Sequence, residues 1–165
     1  MSRLLEGLRK CKTRDDRGMM ANLRCILVEN KKHRAWPALN RLGVPIKDDV
    51  SSFIAGLFAT HPKETCSGNF GTTCRTIKRK RDDNKSDDSK LTPTERHFQH
   101  LLAAERGEEL YPRILRMVQM AKAEGVPVNY ERLEIDLKKK DDWRKTEWAA
   151  SFWMQGEAPE HEEES

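Results

Sequence analysis

Residues 125–154 read GVPVNYERLEIDLKKKDDWRKTEWAASFWM, and the fold class turns on them. Gly125 stands where a left-handed helix C-cap falls, and Pro127 keeps Val126 out of the helical region. Asn129 is an N-cap, with Val128 and Leu133 placed to pack across it as a hydrophobic staple. Tyr130, Leu133 and Leu137 then recur at helical spacing on one face. A further helix opens at Asp141 or Asp142. On it Trp143, Ala149, Ala150, Trp153 and Met154 make one broad apolar side, while Trp148 and Phe152 point the other way. A helix apolar on two sides is central to a core or shared with a partner. Trp148 and Phe152 are therefore assigned to an interface.

Upstream, Thr92-Pro93-Thr94-Glu95 is a T-x-x-E capping box with proline at the first helical position, where a missing N–H costs nothing. Phe98, Leu101 and Leu102 follow until Gly107. Leu110, Ile114, Met117, Val118 and Ala121 form the next stripe, with Arg113 and Arg116 on its shoulder. Near the N-terminus a short helix carries Leu4, Leu5 and Leu8. Thr13 is placed to cap a second, with Met19, Leu23, Ile26 and Leu27 on its stripe and Arg17 and Arg24 beside it. Lys31, Lys32, His33 and Arg34 make a basic turn, and Trp36-Pro37 opens a short helix. Asp48 or Asp49 caps a helix with Val50, Phe53, Ile54, Leu57 and Phe58, which His61-Pro62 ends. Thr72 or Thr73 starts a brief helix carrying Cys74, Arg75 and Ile77.

No run of alternating β-branched residues signals a strand. The expectation is all-α: two small helical-bundle lobes, 1–77 and 92–155, joined by a flexible charged linker, 78–91. Residues 156–165 are read as a disordered acidic tail.

Charged residues make up 35% of the chain and hydrophobic ones 36%, which favours thin helical layers over a thick α/β core. The net charge of +4 hides an asymmetry. Residues 1–81 hold 18 Lys and Arg against 7 Asp and Glu, whereas residues 82–165 hold 13 against 20, five of them in the last ten residues. That balance points to a nucleic-acid partner. No apolar run approaches the ~20 residues of a membrane span, and no signal peptide is evident. The four cysteines lack C-x-x-C spacing, so a cytoplasmic setting with reduced thiols is expected.

Catalytic signatures are missing: no glycine-rich phosphate loop, no nucleophile elbow, no H-E-x-x-H. His61, Cys66 and Cys74 lack a fourth metal ligand and the paired spacing of zinc sites. Glu134, Asp136 and Lys138 echo a nuclease E-x-K box, but on a helix they read as a solvated face. His97 and His100 read as surface or phosphate-contacting groups. The expectation is no enzyme, no cofactor and no metal. Phosphate contacts need only charge, reach and rough alignment, which arginines on the shoulders of apolar stripes supply.

The run ERHFQHLLAAERGEELYPRILRMVQMAKAEGVPVNYERLEIDL, then RKTEWAASFW, resembles the CasB family, the small subunit of the type I-E CRISPR interference complex, Cascade. The A-x-L-R helix (Ala21 to Arg24), the aromatic–proline turn at Trp36, FIAGLFATHP and the N-F-G-x-x-C-R turn (Asn69 to Arg75) agree in order. The resemblance implies a non-catalytic protein of antiviral defence. Its partners would be other Cascade subunits, a second copy of itself, the CRISPR guide RNA and target DNA. It would stabilise the R-loop through sequence-independent contacts to the displaced non-target strand and the guide–target backbone. By motif position the resemblance implies Arg24, Arg96 and either Arg113 or Arg116 as nucleic-acid contacts, whereas the basic stretch with Arg144 and Lys145 is shifted in register; the expected binding set, with the stripe-shoulder arginines, is Arg17, Arg24, Arg75, Arg96, Arg113, Arg116, Arg144 and Lys145. A helical DNA-binding transcriptional regulator, with Arg113 and Arg116 on a recognition helix, is the alternative.

Overall fold

The computed structural model describes residues 3–82, 90–105, 109–139 and 143–154, and for Trp143 the backbone alone. Among them are nine α-helices and no strand: α1 (Arg3–Thr13), α2 (Arg17–Arg24), α3 (Trp36–Arg41), α4 (Asp49–Thr60), α5 (Phe70–Asp82), α6 (Pro93–Ala103), α7 (Leu110–Glu124), α8 (Tyr130–Lys138) and α9 (Trp143–Phe152). Two 3-10 turns, Cys25–Leu27 and Glu29–Arg34, join α2 to α3. The all-α expectation holds.

Local chemistry sets most of the boundaries. Thr92 and Glu95 exchange both bonds of the capping box, and Gly125 ends α7 at φ 71°. Asn129 accepts from the Arg132 N–H at 3.1 Å, and Val128 and Leu133 are both buried beneath that cap. One cap differs from expectation. Asp16, not Thr13, caps α2, accepting from the Met19 N–H at 3.2 Å, while Thr13 is the last residue of α1.

Helix α4 is the pivot of the N-terminal half. Residues 51–59 are buried on every side because α1 and α2 cover one flank, and α7 and α8 the other. Gly56 lets the 3-10 turn close in: a Cβ there would collide with the side chains of Ile26 and Leu27.

Helix α5 plays the same part for the C-terminal half, packing on α6, α7 and most extensively on α9. Asn69 begins it, accepting from the Thr72 N–H at 3.1 Å, so it starts earlier than the threonines predict. A Cβ on Gly71 would sit inside the backbone carbonyl of Trp148, so this glycine is what permits α5 and α9 to touch backbone to backbone.

Helix α5 runs past the point where the linker was expected to begin. Residues 78–82 are the last turns of α5 rather than linker, and α5 packs with helices placed beyond the boundary. Asp82 Oδ2 accepts from the Thr94 N–H at 3.0 Å, which ties the end of α5 to the start of α6. Residues 83–89 and the tail lie outside the described residues. The halves are stitched elsewhere too. Val128 N–H donates to the Lys63 carbonyl at 3.0 Å, and the Thr65 N–H to the Val128 carbonyl at 3.1 Å. Arg9 of α1 reaches Glu64 at 2.8 Å and Glu131 of α8 at 3.3 Å.

The faces of α9 are the reverse of the expectation. Trp148 and Phe152 are buried in the chain's own core, at 0% and 3% exposure, whereas Trp153 stands 39% exposed. Trp148 lies against Phe70, Phe152 stacks on Phe98, and the indole N–H of Trp148 donates to Asp136 Oδ2 at 2.9 Å. Asp136 is itself fully buried and takes Arg132 on its other oxygen at 3.1 Å. The E-x-K carboxylates are therefore no solvated face. Asp136 is an internal acceptor, and Glu134 is buried too, 3.2 Å from Lys138.

Candidate nucleic-acid interface

Cations from three helices converge where α6 and α7 lie side by side. Two clefts of about 300 and 430 Å³ meet there, sharing His97 and Arg116. The first runs toward Arg81 and Gln119, the second toward His100 and Arg113. Each position follows from local structure. His97 and His100 are three residues apart, as are Arg113 and Arg116, so each pair shares one helix shoulder. The Thr92 capping box fixes where α6 begins and hence which shoulder turns inward. The last turn of α5 delivers Arg81.

Electrostatics mark these groups as one field. His97 is held below the ordinary histidine range, first by partial burial and then by the positive charge of Arg116, His100, Arg81 and Arg96. Carboxylates offset this little. Burial disfavours ionisation of Asp82, but hydrogen bonds from Thr92 and Thr94 and the charge of Arg81 outweigh it, holding its carboxyl below the usual range. That carboxylate is committed to the α6 N-terminus. Glu109 accepts from the Glu105 N–H at 3.0 Å, and Glu124 lies 3.9 Å from Arg81 at the edge.

Of the residues expected from sequence, Arg113 and Arg116 line these clefts and Arg96 lies beside them on α6, all three exposed. Arg96 donates to the Leu91 carbonyl at 2.8 Å, which orients a fork that has further donors to offer. Arg17 and Arg24 lie apart on α2. Arg17 is exposed and 3.5 Å from Asp15. Arg24 is exposed yet donates to the Ala59 carbonyl at 3.0 Å, satisfying an orphan acceptor at the end of α4. Arg75 on α5 and Lys145 on α9 are half-buried. Arg144 is a correction: only 1% exposed, it shares the inward stripe of Trp148 and Phe152 and presents no charge to solvent. Arg81 was hidden from sequence reasoning because it fell in the segment read as linker.

A larger cleft, about 690 Å³, lies elsewhere, between α1, the α3–α4 turn and α8. Its lining balances Arg3 and Lys138 against Glu131 and Glu134, so it offers a polyanion no net attraction. No group of three or more metal-binding side chains comes together among the described residues. No helix among them is long and apolar enough to cross a membrane.

A family model described as CRISPR-associated protein Cse2 matches residues 8–153, from within α1 to the end of α9. The chain belongs to the Cse2/CasB family of type I-E Cascade. Neither a search of curated proteins nor one of solved structures finds a match. As a Cse2 protein the chain is a CRISPR Cascade small subunit, a structural component that associates with other Cascade components.

Proposed function

We propose that this Cse2 chain works by binding alone, holding nucleic acid of any sequence on its α6/α7 face to stabilise the R-loop of Cascade. The displaced non-target strand is the principal ligand and the guide–target backbone the second, with a second copy of the chain extending the path. The observation that carries this reading is the convergence of Arg81, His97, His100, Arg113 and Arg116 on the paired clefts, with exposed Arg96 beside them on α6. Arg17 and Arg24 add exposed charge on the other half. Such a cluster grips phosphates without reading bases, which is what a strand of arbitrary sequence requires. R-loop formation exchanges one duplex for another of similar stability, so modest backbone contacts can tip it.

The test is the salt dependence of binding to unrelated single strands by the purified chain. Contact by Arg81, Arg113 and Arg116 of the clefts and by Arg96 beside them with about four phosphates gives a log–log slope near −3, taking ~0.7 per phosphate. Reversing Arg113 and Arg116 to Glu should bring the slope to about −1.5 or flatter. A strong preference for one sequence, or a slope unmoved by the reversal, contradicts the proposal.

A further inference from the structure

The basic turn and the aromatic–proline step of the N-terminal half form a surface that the α6/α7 cleft does not use. The 3-10 turn Glu29–Arg34 runs through Ala35 directly into α3, whose first residue is Trp36. Backbone bonds fix that step. The Ala35 N–H donates to the Lys32 carbonyl at 2.9 Å, and the Leu39 N–H to the Ala35 carbonyl at 2.9 Å. Pro37, second in α3, has no N–H to leave unpaired. Ala35, Ala38 and Leu39 are buried, which holds α3 down by one side and turns Trp36, Pro37, Asn40 and Arg41 outward.

Trp36 is 42% exposed. An indole is a large apolar surface, and leaving it in water forfeits much of what its burial is worth. Trp153 is nearly as exposed, yet it packs against Phe98 and Phe152 and donates to Glu95, so it is anchored within the chain. The ring contact of Trp36 is with His33, at 6.4 Å between centres and 74° between planes, an edge contact that props the indole without stacking on it. The stretch around it is basic. Between residues 29 and 41 stand Lys31, Lys32, Arg34 and Arg41 against Glu29 alone, and Glu29 is paired with Lys32 at 3.2 Å. Lys31, Arg34 and Arg41 are exposed.

An aromatic face fringed by lysine and arginine suits unpaired nucleic acid, whose base stacks on the ring while cations hold the phosphates on either side. A protein partner suits it less, because the cores of protein interfaces are depleted in lysine. We propose that Trp36 is a stacking platform for an unpaired base of single-stranded nucleic acid, with Lys31, Arg34 and Arg41 holding the flanking phosphates. It is a second contact, on the N-terminal half, and shares with the α6/α7 reading only the class of ligand. Stacking is indifferent to sequence, since every base has a π-face. What the site adds is a preference for unpaired strands: cations alone hold single strand and duplex alike, whereas Trp36 rewards a strand whose bases are free.

The experiment uses the full chain, Trp36→Leu and Trp36→Phe, each binding a dT strand and an abasic strand of the same length. Leucine keeps an apolar side chain and a good helix former but removes the π-face, and thermal melts verify that each variant is folded. The proposal predicts about five-fold or greater loss on dT for Trp36→Leu, recovery of most of it by Trp36→Phe, and a change below about two-fold on the abasic strand. It also predicts that dT quenches a component of the tryptophan fluorescence that Trp36→Leu no longer shows. Equal losses on both strands overturn it, because phosphates are all that the two strands share. Unchanged affinity for dT overturns it as well, as does the absence of dT binding by any form. Cascade assembly lost in Trp36→Leu at unchanged dT affinity would assign the ring to a protein partner or a second copy instead. Arg113→Glu/Arg116→Glu, measured alongside, keeps the two sites distinct: binding unmoved by that reversal fails the cleft reading and leaves the Trp36 result standing.

Discussion

Trp148→Phe separates an internal tryptophan from an interface tryptophan. The phenyl ring keeps most of the contact with Phe70, but the N–H that reaches Asp136 Oδ2 at 2.9 Å is lost. Asp136 is fully buried, so water does not replace that donor; Arg132, 3.1 Å from the other oxygen, remains. Withdrawing a hydrogen bond from a buried charged acceptor costs about 1.5–3 kcal/mol, and the smaller ring adds about 1 kcal/mol for the space it leaves. The sum, roughly 2–4 kcal/mol, corresponds to a fall in Tm of about 5–15 °C for a chain of this size. Circular dichroism melts and urea titrations read it directly. Asp136→Asn supplies the cycle: in that background Trp148→Phe should cost about 1 kcal/mol less, because the acceptor no longer carries full charge. A stability change below about 0.5 kcal/mol with Cascade assembly lost would refute the reasoning and restore Trp148 to the surface.

Gly71→Ala should destabilise by about 1–3 kcal/mol, reversing the gain of up to ~1 kcal/mol that alanine gives in an open helix, because its Cβ meets the Trp148 carbonyl. An unchanged or raised Tm would show that α5 and α9 do not approach so closely. His61 is buried, its Nε2 2.6 Å from the Val126 carbonyl, and burial holds it below its ordinary value of 6.5 despite that hydrogen bond. The unfolded chain therefore takes up the proton first, so this contribution to stability is complete above about pH 6.5 and declines as pH falls below it. Melts between pH 7.5 and 5.5 should show a smaller drop in His61→Gln than in the parent, and identical drops would exclude His61 as the source. Arg24→Gln should lower stability by about 1 kcal/mol through loss of the bond to the Ala59 carbonyl, read in the same urea titration; no change would leave that arginine free for nucleic acid alone.

The parts legible in the sequence are those whose causes lie within a few residues. The Thr92 capping box, the left-handed Gly125 and the Asn129 cap with its staple are local bonds, and they place α6, α7 and α8 correctly. The faces of α9 were not legible because the inward stripe is Arg144, Trp148 and Phe152, headed by a charge and completed by a carboxylate on another helix. Counting apolar side chains favoured the opposite side. The end of α5 was missed for a related reason: residues 78–82 have no apolar side chain, and their helix is held by Asp82 reaching across to Thr94. The cationic face was half legible. Arg96, Arg113 and Arg116 stand on the shoulders of readable stripes, whereas Arg81 joins them only once α5 packs against α6 and α7.

The central claim is that the α6/α7 cleft holds the displaced strand, and target affinity of assembled Cascade measures it most directly. Wild type and Arg113→Glu/Arg116→Glu are compared on a full duplex target and on one lacking the non-target strand. The account predicts at least a ten-fold loss on the duplex, little loss on the target without that strand, and unchanged assembly. Equal loss on both targets would place these arginines on the guide–target hybrid, and no loss on either would contradict the claim.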